Sequence, residues 1–271
     1  MKTYKSYTIQ SNAEILLGLL VAYPFESFEE HDGYMIAYIP AEACDDDTQD
    51  QIHNTISRFE VEYTIETIAP QNWNALWEAS FEPVVVEDFC VVRADFHEKP
   101  EGIQYDIVIN PKMAFGTGHH ETTYMMMAAM RGLKMKSKSI FDYGCGTGIL
   151  AILASKMGSS SIDAIDIEEE SHQNTLENAL LNDVKNIEVI CSDLENLEAK
   201  KYDIILANIN RNVLLNSAEE LHQRLNEDGT LLISGILDVD EALVSSKYLD
   251  AGFKIKEVNA RGYWRCIELL K

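Results

Sequence analysis

Basic residues are scarce in this sequence. Of its 271 residues, 22 are Lys or Arg and 45 are Asp or Glu, which gives a formal net charge of −23. Proteins that bind nucleic acid phosphates without sequence preference need a basic face, so direct nucleic acid binding is not expected. The charge favours a basic partner or a cationic ligand, although an acidic surface also serves solubility alone.

Long apolar runs are also lacking. The longest near the N-terminus, residues 15–23, is interrupted by Gly18 and is shorter than the ~18–20 residues of a membrane span. No A-x-A cleavage pattern indicates a signal peptide. The five cysteines form no C-x-x-C pair, so neither a disulfide framework nor a zinc site is predicted. These absences indicate a cytoplasmic protein.

Strand and helix patterns alternate at short spacing over residues 1–69. Their order, β-α-β-β-α-β, is that of a ferredoxin-like unit. The segment holds 3 basic and 13 acidic residues and no nucleophile–base pair, which predicts a recognition domain rather than a reaction centre. The predicted strands are 4–10, 25–29, 34–39 and 60–68, and the predicted helices are 13–23 and 45–59.

Residues 70–110 are predicted to connect two domains. Pro70 closes the first unit, and Trp73 and Trp77 lie four residues apart on one face of a helix. Such a pair of side chains is usually buried in packing contacts, so we interpret this helix as a structural strut between the domains. Two extended runs follow, over residues 84–96 and 105–110.

From about residue 138 strands and helices alternate, which predicts a parallel sheet with helices on both faces. The link between the last two extended runs is too short for a crossover, so that pair is predicted to be antiparallel. The runs are 139–142, 161–166, 187–190, 203–207, 230–234, 253–258 and 264–270.

A glycine-rich turn follows the first of these strands, in the sequence I-F-D-Y-G-C-G-T-G at residues 140–148. Glycines let a backbone approach a ligand and offer it N–H groups. In an open α/β sheet, ligands bind beyond the carboxyl ends of the strands. A glycine-rich turn alone can be a simple tight turn, but its place after the first strand favours a binding site that includes Gly144.

Asp166 ends the next strand, 20 residues after Gly146. A carboxylate at this place can accept hydrogen bonds from ribose hydroxyls. The alternative is a helix cap, because three glutamates crowd the start of the following helix. The glycine turn and Asp166 together favour ribose binding.

The pattern Asp-x-Gly-x-Gly-x-Gly at residues 142–148 resembles the first motif of class I S-adenosylmethionine-dependent methyltransferases. A nicotinamide fingerprint would be G-x-G-x-x-G, and Ile149 stands where its third glycine would be. The resemblance implies a Rossmann-like, seven-stranded sheet with a final antiparallel pair and S-adenosylmethionine as cofactor.

Further motifs resemble one family, the bacterial ribosomal protein L11 methyltransferases. Residues 111–123 read P-K-M-A-F-G-T-G-H-H-E-T-T, close to the family's A-F-G-T-G-T-H-P-T-T, although His119 replaces the usual Thr and Glu121 the usual Pro. Asn208 stands in the family's A-N-I, and residues 73–78 match its W-x-x-x-W-E. The resemblance covers nearly the whole chain.

The resemblance implies a methyltransferase that modifies amines, lysine side chains or the N-terminal α-amino group, of a basic protein of the large ribosomal subunit. It assigns cofactor binding to Thr123, Gly144, Asp166 and Asn208, and acceptor positioning to Asn208. It offers Asp193 as an adenine contact and matches His120 to the family histidine, although a lone loop histidine is more often structural. No metal ligands are assigned.

The implied domains are a ferredoxin-like recognition domain at 1–69, a connecting region at 70–110 and a methyltransferase domain at 111–271. Two alternatives of other classes remain. One is a nicotinamide-dependent oxidoreductase, which would need the third glycine and a hydride-transfer residue. The other is a non-catalytic Rossmann-like module that binds a cofactor.

Overall fold

We describe a computed structural model of the chain over residues 3–11, 14–59, 61–68, 82–110 and 118–271. The chain divides into two compact units, Met1–Ser80 and Phe81–Lys271, which are described separately. In the described part of the chain, no helix is both long and apolar enough to cross a membrane.

The first unit is a four-stranded antiparallel sheet with two helices, which confirms the predicted ferredoxin-like order. Its strand order is β2-β3-β1-β4. Gly33, at φ 86°, lies in the two-residue turn between β2 and β3, where a positive φ favours glycine. The elements are β1 (Tyr4–Ile9), α1 (Glu14–Leu20), β2 (Ser27–His31), β3 (Tyr34–Pro40), α2 (Asp46–Ser57) and β4 (Tyr63–Ile68).

This unit has its own apolar core. Alternate residues of β1 and β3 point to one face of the sheet, where the two helices cover them. The fully buried side chains from these strands and helices are Tyr7, Ile9, Leu16, Leu20, Met35, Ala37, Ile39, Ile52 and Ile56.

The second unit begins with a small three-stranded sheet, made of β5 (Val84–Val86), β6 (Cys90–Arg93) and β7 (Tyr105–Val108). The single extended run expected at 84–96 is therefore two strands, which pair antiparallel. The chain reverses at Glu87, which has φ 51°, a left-handed conformation that periodicity does not reveal. These three strands belong to the second unit. That residues 70–110 act as a region connecting two domains stays a prediction.

The main sheet has seven strands in the order β10-β9-β8-β11-β12-β14-β13. Pairs up to β12 are parallel, and β14 is antiparallel to both its neighbours, as predicted. The strands are β8 (Ser139–Tyr143), β9 (Ser161–Asp166), β10 (Ile187–Cys191), β11 (Tyr202–Asn208), β12 (Leu225–Leu237), β13 (Lys254–Arg261) and β14 (Trp264–Leu270).

Helices cover both faces of this sheet. Neighbouring strand residues point to opposite faces, so Ile140 joins one buried cluster and Phe141 the other. The first cluster includes Met126 of α3, and the second includes Leu214 of α6. The helices are α3 (Glu121–Met130), α4 (Ile149–Lys156), α5 (Glu169–Leu181), α6 (Arg211–Arg224) and α7 (Glu241–Asp250).

The strand order reverses at β8. The chain proceeds outward through β9 and β10, then crosses back to place β11 on the other side of β8. At such a point the two connections leave in opposite directions and open a crevice beyond the carboxyl ends of the strands. We therefore expect the residues that follow β8, β9 and β11 to line a binding site.

Candidate functional site

The glycine-rich turn after β8 is held by the neighbouring strand. The backbone N–H groups of Gly144 and Cys145 both donate to the carbonyl of Ile165, at 2.9 Å each. Gly144 has φ 76°, and a Cβ added there would lie 2.2 Å from Cγ2 of Ile209, in the segment after β11. Glycine is thus required at this position by both conformation and space.

Asp166 ends β9 and reaches across to the same turn. Its Oδ2 accepts the N–H of Gly146 at 3.0 Å, and its Oδ1 accepts the N–H of Glu168 at 3.0 Å. The N-cap residue of α5 is Glu168 rather than Asp166, so the helix-cap alternative does not describe this carboxylate. Each oxygen keeps acceptor capacity that a ribose hydroxyl could use.

Asp142, the aspartate of the glycine motif, is fully buried beneath the turn. Its Oδ2 accepts the N–H of Ala151 at 3.1 Å, whereas its Oδ1 has no hydrogen-bond partner in the described part of the chain. Burial raises the pKa of this carboxyl to about 7, against the Ala151 hydrogen bond, which lowers it. The negative charge of Asp166 raises the pKa further.

Thr123 and Asn208 meet on the other side of β8. The Nδ2 of Asn208 donates to Oγ1 of Thr123 at 3.2 Å, and Ala207, the preceding residue of β11, pairs with Tyr143 of β8. The Oδ1 of Asn208 is buried and has no hydrogen-bond partner among the described residues. A buried acceptor without a donor is costly, so this atom is available to a ligand.

His120 is the N-cap of α3. Its Nδ1 lies 2.7 Å from Oγ1 of Thr122 and accepts the Thr122 N–H, and its ring meets Trp264 edge to face at 4.7 Å. These contacts agree with a structural role. The methionines of α3 are buried: Met125, Met126, Met127 and Met130.

Asp193 follows β10 and is exposed. Its Oδ1 accepts hydrogen bonds from the backbone N–H and the side-chain amide of Asn196, at 2.9 and 2.7 Å. The carboxylate thus caps its own loop. Burial and the negative charge of Asp193 raise the pKa of Tyr143, which directly precedes Gly144.

The predicted motif residues are only partly described. The segment 111–117 and the pair Trp73 and Trp77 lie outside the described residues. Within the ranges given above, no three His, Cys, Asp or Glu side chains group as a metal site. Four predicted residues do border the crevice: Thr123 and Asn208 touch each other, while Gly144 and Asp166 belong to the turn.

Some contributors to this region were missed. Asn210 is the N-cap of α6, where its side chain accepts the Val213 N–H at 3.1 Å. On α5, Thr175 and Asn178 bind the glycine turn through its carbonyls. The sequence could have indicated Thr175 and Asn178, because these polar residues recur at helical spacing on a face of α5 that does not carry its leucines.

The model of one protein family, described as ribosomal protein L11 methyltransferase (PrmA), matches residues 6–271. The chain belongs to the ribosomal protein L11 methyltransferase family. A protein of that name from Porphyromonas gingivalis is 39% identical over 267 residues, covering 96% of this chain and 91% of its own length. Another from Bacteroides thetaiotaomicron is 38% identical over 262 residues, covering 94% and 92%.

Solved structures agree with this membership. A ribosomal protein L11 methylase from Lactobacillus delbrueckii subsp. bulgaricus superposes with a TM-score of 0.66 at 29% identity, covering 70% of this chain and 98% of that one. A methyltransferase from Pyrococcus furiosus, with a TM-score of 0.52 at 14% identity over 60% of this chain and 88% of its own, shares the fold. The resemblance and the class I methyltransferase fold inferred from the sequence are therefore confirmed.

Proposed function

We propose that this chain transfers methyl groups from S-adenosylmethionine to amino groups of ribosomal protein L11. The observation that carries the proposal is the family match over residues 6–271. As a member of this family the chain is a protein methyltransferase, and S-adenosylmethionine is its cofactor. The comparisons do not support the nicotinamide oxidoreductase or the non-catalytic module.

The residues at the crevice fit this cofactor. Asp166 offers carboxylate oxygens to ribose hydroxyls, and glycine at position 144 lets the turn pack directly against Ile209, the residue after Asn208. Asn208 adds a buried acceptor, its unpartnered Oδ1. We assign cofactor binding to Gly144, Asp166, Asn208 and Thr123, which orients the Asn208 amide.

The bound cofactor supplies an activated methyl group on a sulfonium, so the protein mainly has to position the acceptor. The acceptor amine must be neutral. For a lysine with pKa near ~10.4, deprotonation at pH 7 costs about 4.6 kcal/mol, whereas an α-amino group costs only about 1 kcal/mol. We assign Asn208 Oδ1 to accept an N–H of the amine and orient its lone pair.

The acceptor protein is inferred to be basic. Residues 1–69 carry 3 basic and 13 acidic residues, and the whole chain has a net charge of −23. Opposite charges steer partners together and raise association rates. This unit also has its own core, and its acidic character supports a recognition role. We propose a cytoplasmic location for the chain. The proposal includes no direct contact with nucleic acid or membrane.

The test is to incubate the purified chain with free ribosomal protein L11 and labelled S-adenosylmethionine, then map the label by mass spectrometry. We expect methyl groups on lysine side chains, on the α-amino group or on both. Label on carboxylates or arginines, or none on a folded substrate, would contradict the proposal. Equilibrium binding of NADH provides the control for the oxidoreductase alternative, and none is expected.

A further inference from the structure

Helix α5 buries a polar face. Asn174, Thr175 and Asn178 are at most 2% exposed, whereas Leu180 is 81% exposed on the same helix. A helix on a protein surface ordinarily buries its leucines, and buried polar side chains are costly unless they are hydrogen-bonded. The partners of this face therefore explain why the sequence places polar residues there.

One set of partners is the glycine turn. Thr175 Oγ1 donates to the carbonyl of Gly146 at 2.9 Å, and Asn178 Nδ2 donates to the carbonyl of Thr147 at 2.9 Å. A Cβ added at Gly148 would lie 2.7 Å from Thr175 Cγ2, so helix and turn are in direct contact. A hydrogen bond that holds a carbonyl also holds the plane of its peptide group. The two bonds from α5 therefore set the orientation of the glycine turn.

The other set of partners is the chain that leaves β7. The backbone N–H of Asn110 donates to Asn178 Oδ1 at 2.8 Å, and the N–H of Val108 donates to Asn182 Oδ1 at 2.9 Å. Asn182 Nδ2 returns a bond to the carbonyl of Val108. Because β7 is an edge strand, the amide of Asn182 completes it as a neighbouring strand would.

Asn178 is the residue that joins these two sets. Its Oδ1 holds Asn110, which directly precedes the motif at residues 111–123, and its Nδ2 holds the glycine turn. We propose that Asn178 is a positioning residue for cofactor binding, which fixes the backbone of Asn110 relative to the glycine turn. This inference rests on the proposed function.

Asn182 provides a matched control within the same helix. It is an asparagine four residues further on, it hydrogen-bonds β7 through both ends of its amide, and no described bond of its side chain reaches the glycine turn. Loss of either side chain should lower the Tm, but only loss of Asn178 should weaken cofactor binding.

The experiment compares Asn178→Leu, Asn178→Asp and Asn182→Leu in the full chain, at a temperature where circular dichroism shows each variant folded. The Asp variant keeps an acceptor for Asn110 and, as a carboxylate, removes the donor to Thr147 and to Asn174, so it tests these contacts with little change in shape. Titration calorimetry measures the Kd for S-adenosylmethionine, and Tm is measured in parallel.

We expect the Kd to rise about 5- to 15-fold in both Asn178 variants, the equivalent of one lost hydrogen bond, and to stay within about twofold in Asn182→Leu despite a lower Tm. Wild-type affinity in either folded Asn178 variant, or an equal loss in Asn182→Leu, would overturn the inference alone. Failure of the wild-type chain to bind S-adenosylmethionine would overturn the proposed function as well.

Discussion

The amide of Asn208 is bonded at its nitrogen and free at its oxygen. Its Nδ2 donates to Oγ1 of Thr123, which lies 85 residues earlier in the chain, while its Oδ1 is buried without a partner in the ranges that the structure describes. The bond from α3 fixes which way the amide faces, so an acceptor atom is held ready at the end of β11.

Asn208→Ala is expected to lower kcat/KM for ribosomal protein L11 by about 10- to 100-fold, because the amine gains positive charge as it accepts the methyl group and a hydrogen bond to a charged group contributes about 1.5–3 kcal/mol. Initial rates with labelled cofactor measure the effect. Asn210→Ala is the control: it removes the N-cap of α6, which costs about 1 kcal/mol of stability, and should leave the rate unchanged. Equal rates for both variants would exclude Asn208 from the site.

Asp166→Ala should weaken binding of S-adenosylmethionine by roughly 10- to 100-fold for each charge-assisted bond that it removes. The variant also loses the bond to the N–H of Gly146. Asp166→Asn keeps one oxygen acceptor in place and should show a smaller loss. An unchanged Kd for the alanine variant in titration calorimetry would remove Asp166 from the site.

Asp142→Asn tests the raised pKa of the buried carboxyl. Because burial lifts the pKa of Asp142 from its ordinary value of 3.8 to about 7, the folded state binds this proton more tightly than the unfolded state. The stability contributed by the protonated form is full below the unfolded pKa and is lost as the pH rises toward the folded pKa.

The asparagine side chain mimics the neutral carboxyl and does not titrate. The free energy of unfolding of Asp142→Asn relative to the wild type should therefore rise between about pH 5 and about pH 8, by on the order of 2 kcal/mol. Urea titrations at both pH values measure the difference. A difference that is constant or falls with pH would show that the folded protein keeps this carboxylate charged.

Deletion of residues 1–69 should leave a folded unit that binds S-adenosylmethionine with a Kd within about twofold of that of the full chain, because the second unit has its own buried clusters. The same truncation should lower kcat/KM for ribosomal protein L11, since it removes the acidic first unit. If the truncated enzyme methylates at the full rate, the recognition role is wrong.

Added salt should slow the association of the enzyme with its protein substrate. With a net charge of −23 on the chain, kcat/KM for ribosomal protein L11 should fall as salt rises from about 50 to about 300 mM, because screening weakens steering. The Kd for S-adenosylmethionine, measured in the same buffers, should change little. A rate independent of salt would remove the steering role and leave the chemistry in place.

Much of the fold was predictable because its signals are local. Alternating apolar residues predict β1 and β9. Short sequence motifs predict the turn at Gly33 and the glycine-rich turn before α4. The candidate residues Gly144 and Asp166 follow from strand ends, since parallel strands bring their carboxyl ends to one edge.

What could not be predicted depends on contacts between distant segments. The division of residues 84–96 into two strands follows from a left-handed Glu87, and His120 caps a helix instead of standing free in a loop. The partners of Asn178 lie 31 and 68 residues away, and no periodicity identifies them. Long-range hydrogen bonds of this kind become visible only once the sheet order is known.

The position of β11 beside β8 has a consequence for folding. Bonds between these neighbours join residues 64 apart in sequence, as Ser139 and Asp203 show, so the chain through β11 must be present before this pair can close. Such non-local pairing is slow to form. A nascent chain that has not yet added β11 therefore holds the glycine turn but lacks Asn208, the residue assigned to the acceptor.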